Sequence, residues 1–111
     1  MRVFTGQRAF LLQRLTALVL LAYVAGAAVR LAFGAPLSLG QWRDSAAHPA
    51  GAALIALLAA ALLLHAWVGV RDVVLDYVKP LGLRVAVLGM VAAALAFLGL
   101  WTALILASHA L

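Results

Sequence analysis

Residues 51–80 read GAALIALLAA ALLLHAWVGV RDVVLDYVKP, and their reading decides the fold. The first twenty, up to Val70, are apolar or small except for His65. About 20 such residues in a helix cross the hydrocarbon core of a bilayer. The helix is expected to run on past the apolar stretch to about Val78, because Lys79-Pro80 is the first strong stop signal. Two further runs of similar character flank it, residues 15–33 and residues 85–107. The sequence therefore predicts an all-α membrane protein with three transmembrane helices in a single anchor domain. A Gly/Pro/Ser-bearing loop, residues 34–50, joins the first two spans. All three spans are rich in Ala and Gly, which lets helix backbones approach closely.

Composition points the same way. Of 111 residues 68% are hydrophobic, and the mean hydropathy is +1.19. Too little polar surface remains to coat a soluble globule of this size. The net charge of +5 comes from eight Lys/Arg against three Asp/Glu. Those basic residues sit at the ends of apolar runs, so they read as topology signals and headgroup contacts rather than a nucleic-acid surface. With no cysteine, disulfides, thiolate metal sites and iron–sulfur ligation by this chain are excluded.

Arg2, Arg8 and Arg14 precede the first span, and Arg71, Lys79 and Arg84 lie between the second and third. The other side holds Arg30 and Arg43. Six against two predicts a cytoplasmic N-terminus and a periplasmic or outer C-terminus. The basic start, the apolar run 15–24 and Ala25-Gly26-Ala27 imitate a signal peptide. Apolar character resumes through Ala28, Val29, Leu31, Ala32 and Phe33, so the first span is expected to be retained.

His65 is the first candidate for chemistry. Intramembrane ionisable groups are costly and tend to be functional. One reading is a histidine hydrogen-bonded to a neighbouring helix. The other is an axial ligand of a b-type haem, a role neutral imidazole fills in helix bundles. Six residues separate it from Arg71, roughly 9 Å along a helix. His48, before Pro49, and His109, near the C-terminus, should sit at the far face, some 15–25 Å away at helical rise. Neither can share an iron with His65, so a second axial ligand must come from another polypeptide. Both read as solvated surface residues.

Gly69, Asp72 and Asp76 follow His65 at i+4, i+7 and i+11, near one line along the helix. Gly69 leaves a notch for a flat macrocycle or for close helix packing. Asp76 lies roughly 16 Å from His65 along the axis, at the interface. Tyr77 beside it suits an aromatic belt. The pair equally offers a hydroxyl donor and a proton source to a quinone approaching through the apolar phase. Arg14, after Gln13, is a positive-inside anchor or a partner for a haem propionate. Trp42, Trp67 and Trp101 read as interface or packing residues.

Taken together, His65-Ala66-Trp67-Val68-Gly69, Arg71-Asp72-Val73, Asp76-Tyr77-Val78-Lys79-Pro80 and Leu12-Gln13-Arg14-Leu15-Thr16-Ala17 resemble the hydrophobic membrane-anchor subunit of bacterial succinate dehydrogenase, complex II. Length and topology resemble that subunit too. The resemblance implies that His65 is the axial ligand of haem b, opposite a histidine of the cytochrome b subunit. It implies that Tyr77 contacts ubiquinone, with Asp76 the neighbouring acidic residue, and that Arg14 lies near the haem propionates. The rest of the quinone pocket would come from the iron–sulfur and cytochrome subunits. Electrons from succinate would reach quinone through the flavoprotein and iron–sulfur subunits, at the bacterial inner membrane. Ahead of Phe10 the family's pattern carries a His-Asp pair where this chain has Arg8-Ala9, and the loop 35–50 shows no likeness to it.

The expected function is thus an electron-transfer membrane subunit with no catalytic centre of its own. A holin-like or other small structural three-span protein is the alternative from a different class, and it requires neither His65 at depth nor Asp76-Tyr77. A small transporter subunit would need polar residues in more than one span. A fumarate reductase anchor stays close to the leading reading, because direction depends on quinone potential and partners.

Overall fold

The computed structural model describes residues 7–110, with side chains described through Ser108. Four helices follow in order: α1 (Gln7–Phe33), α2 (Leu39–Ala47), α3 (Pro49–Tyr77) and α4 (Leu81–Ala110). The described residues contain no strand. Three helices are long and apolar enough to cross a membrane, over Gln7–Phe33, Pro49–Tyr77 and Leu81–Ser108. Each exceeds the roughly 20 residues a bilayer core requires, so their ends reach the interfacial layers or the helices tilt.

The three apolar runs lie inside α1, α3 and α4, but the helices are longer than the runs. α1 begins at Gln7 rather than near residue 15, and it continues unbroken through Ala25-Gly26-Ala27. α4 begins at Leu81, directly after Pro80. Hydropathy reports the length that lipid solvates, whereas the helix extends as far as its backbone bonds are made. α3 ends at Tyr77, where Val78 is the C-cap and its N–H bonds the Val74 carbonyl.

The segment expected as a loop, residues 34–50, holds α2. Ser38 caps it: its hydroxyl accepts from the Gln41 N–H at 3.2 Å, and the Gln41 side chain accepts from the Ser38 N–H at 2.8 Å. This reciprocal pair is a capping box. His48 ends α2 and caps α3, its Nδ1 accepting from Ala50 N–H at 3.2 Å. Pro49 then opens α3, at a position where its missing N–H is no loss. The corner closes so tightly that a Cβ on Gly51 would collide with the Ser45 carbonyl.

α3 is the spine. It packs against α1 on one side and α4 on the other, α2 touches α3 and α4, and among the described residues α1 and α4 do not meet. The body measures 50 × 29 × 21 Å. Among the described residues only Ala9, Thr16, Ala61, Val68 and Val74 are buried. Such helices, apolar all round, place their outer faces against lipid or another polypeptide.

α1 and α3 run antiparallel, and the pairs Gln13 with Gly69, Thr16 with His65 and Tyr23 with Leu54 mark their register. The Tyr23 hydroxyl donates to the Leu54 carbonyl. Interhelical hydrogen bonds in membranes contribute about 0.6 kcal/mol each on average, so these pairs mark the register of α1 on α3 more than they hold it.

The turn into α4 is held from the far side. Arg84 donates from Nε to the Val78 carbonyl at 3.0 Å and from Nη2 to the Leu75 carbonyl at 3.2 Å. Carbonyls in the last turn of a helix lack intrahelical donors, and a cation there also suits the helix dipole. Arg84 therefore fixes the turn that presents Asp76 and Tyr77, besides counting as a topology signal.

Candidate functional site

His65 is half-buried in α3, at the level of Thr16 in α1. Thr16 is 5% exposed and is the buried polar side chain of the pair. Its Oγ1 stands 3.1 Å from His65 Nδ1, 2.9 Å from the Leu12 carbonyl and 3.1 Å from the Gln13 carbonyl. His65 Nε2 has no hydrogen-bond partner among the described residues. One ring nitrogen is thus held by the protein and the other is available.

One turn nearer the α3–α4 end, the Gly69 notch is filled from α1. A Cβ on Gly69 would come within 3.4 Å of Gln13 Nε2. The notch serves helix packing here, one of the two uses open at that position. The other amide atom, Gln13 Oε1, is buried without a partner among the described residues.

Arg14, next to Gln13, is exposed and stacks its guanidinium over the Phe10 ring, 4.7 Å from the centroid. Asp76 and Tyr77 occupy the end of α3, both exposed, with Tyr77 at 79%. Asp72 pairs at 3.3 Å with its neighbour Arg71. The structure thus brings His65 together with Thr16, Gln13 and Gly69, and sets Asp76 and Tyr77 apart from them at the helix end. Their separation from His65 is about 16–18 Å by helical rise.

His48 belongs to the opposite end of α3, as its capping bond requires. His109 falls within α4, but its side chain and Arg2 lie outside the described residues. Among the described residues no three of His, Cys, Asp and Glu converge as metal ligands. A groove of about 580 Å³ between α1 and α3 is lined by Val19, Tyr23, Gly26, Arg30, Leu54 and neighbours; it includes neither His65 nor Tyr77 and begins one turn beyond Thr16. It is an open lateral gap and holds none of the candidate site residues.

Sequence reasoning missed the roles of Thr16, Gln13 and Arg84. The first two meet α3 across about fifty residues of chain, and a lone hydroxyl in an apolar run carries no local sign of its partner.

The family model for the succinate dehydrogenase/fumarate reductase transmembrane subunit matches residues 4–106. The chain belongs to this family. The match takes in α1, α2 and α3, nearly all of α4, and His65, Arg14, Asp76 and Tyr77. As a member of the succinate dehydrogenase/fumarate reductase transmembrane subunits, the chain is a multi-pass membrane protein that associates with the other subunits of such a complex. A free-standing structural or holin-like protein finds no support in that membership.

Proposed function

We propose that this chain anchors a succinate:quinone oxidoreductase, supplies one axial haem b ligand through His65 and forms one wall of the ubiquinone site with Tyr77 and Asp76. The observation that carries the reading is the state of the His65 ring: Nδ1 is engaged by Thr16 while Nε2 is unpartnered among the described residues. A packing histidine is satisfied by the same Thr16 contact, but that contact accounts for only one of the two nitrogens. A haem asks a single axial side chain of this chain, and the residues present fit that demand. The opposing ligand then belongs to the cytochrome b subunit.

A bound haem b supplies a one-electron redox centre within the membrane. His65 offers the Nε2 lone pair and sets the ring plane. Arg14 lies exposed near the same end, a cation able to neutralise a carboxylate such as a propionate. At the end of α3, the Tyr77 O–H donates to a quinone carbonyl oxygen and orients it. Asp76 relays protons from water, so that quinone takes up two electrons from the partner subunits and two protons to become quinol. The excess of Lys/Arg at this end supports a cytoplasmic position for it, in a bacterial inner membrane on this reading.

The test is a reduced-minus-oxidised spectrum of the purified complex with its partner subunits. Wild type should show a b-type α band, and His65→Ala should abolish or displace it. An unchanged band in His65→Ala removes His65 as ligand and reduces the chain to an anchor.

A further inference from the structure

Thr16 Oγ1 has three polar neighbours and one proton to give. Leu12 O and Gln13 O, at 2.9 and 3.1 Å, are carbonyl oxygens that can only accept. His65 Nδ1, at 3.1 Å, can do either. If the hydroxyl donated to Nδ1, its lone pairs would face two carbonyl oxygens at close range with no proton between them. If it donates to Leu12 O, the i−4 bond common to threonine in helices, its lone pair faces Nδ1 and the ring must supply the proton. The second arrangement leaves only the longer contact to Gln13 O, toward which the same proton can be shared, where the first leaves both carbonyls opposed. It fixes the imidazole as the Nδ1–H tautomer, with a bare lone pair on Nε2.

We infer that Thr16 is the positioning residue that holds His65 in the Nδ1–H tautomer and presents Nε2 for ligation. The inference rests on the haem reading above and adds to it the element that selects ligating atom and ring orientation. Metal-bound histidines ordinarily give their second N–H to a protein acceptor, which fixes the tautomer and raises ligand basicity. Here the acceptor is on a different helix from the ligand. The ring plane is therefore set by the packing of α1 on α3, and burial of Thr16 keeps water from replacing the contact.

The experiment compares Thr16→Val, Thr16→Ala and Thr16→Ser in the complete complex, with flavin content as the measure of assembly. Three properties are read: the low-spin ferric EPR signal, the haem midpoint potential and haem loss to an apomyoglobin acceptor. Val and Ala should broaden the signal, move the potential positive through a poorer imidazole donor, and raise haem loss about 10–100-fold. Ser, which keeps the hydroxyl, should match wild type.

Val and Ala indistinguishable from wild type in all three would overturn the inference, as would Ser behaving like Val. Loss of the complex in both hydroxyl-free variants, with Ser normal, would assign Thr16 to assembly and equally overturn it. His65→Ala separates the two levels. If it leaves the haem band intact, the haem reading itself fails; if it removes the band while Thr16→Val changes nothing, only the positioning role fails.

Discussion

Tyr77 projects its ring almost fully clear of the three helices, and no described residue bonds its hydroxyl. An amphipathic aromatic at a helix end suits an interface, yet the proposed role needs the hydroxyl and not merely the ring. Tyr77→Phe separates the two. It should cost about 1–3 kcal/mol in quinone reduction if a quinone oxygen loses its donor, with every 1.4 kcal/mol a factor of ten. Succinate oxidation with a soluble artificial acceptor should stay near wild type, and a parallel fall in both activities would mean defective assembly instead. At this scale the sequence was informative where a residue is conspicuous by itself. His65 stands out in an apolar run and Tyr77 beside Asp76 at its end. Thr16 does not stand out, because its meaning arises only when α1 folds against α3 and brings it to Nδ1.

The helices begin and end where particular side chains cap them, and one of those ends shapes the candidate site. Arg84 reaches back nine residues to the Leu75 carbonyl and six to Val78, closing the end of α3 from the first turn of α4. Arg84→Gln should loosen the last turn of α3 by about 1.5–3 kcal/mol, the range for hydrogen bonds to a charged group. Faster amide exchange over residues 74–78 and weaker quinone reduction should follow, with the haem spectrum unchanged, because His65 lies about two and a half turns away. A spectrum altered as much as the quinone activity would show that the turn does not act locally. The start of α2 is written in the sequence as well. Ser38-Leu39-Gly40-Gln41 is a capping-box pattern, and it starts a helix of nine residues too polar and too short for hydropathy to register. The long helices were visible as spans but not in their full extent, since their first turns are made of residues such as Gln7 and Arg8 that no hydropathy window favours.

Across the whole molecule, α1, α3 and α4 form a row rather than a closed bundle, and most large apolar side chains are exposed. No periodicity could have forecast which helix takes the middle, because helices apolar all round carry no stripe to mark their contacts. The proposed orientation is testable at this scale because the natural chain has no cysteine to interfere. Asp44→Cys, on α2, should react with a membrane-impermeant maleimide added outside intact spheroplasts, and Lys79→Cys only after permeabilisation. The reverse pattern would invert the topology and move Tyr77 to the opposite face. The row also imposes a timetable on synthesis. When α1 enters the bilayer, the threonine it carries has no imidazole to meet until α3 follows. Once α3 is in place the α1–α3 hairpin is complete, and α4, emerging after it, joins α3 on its free flank without disturbing a contact already made.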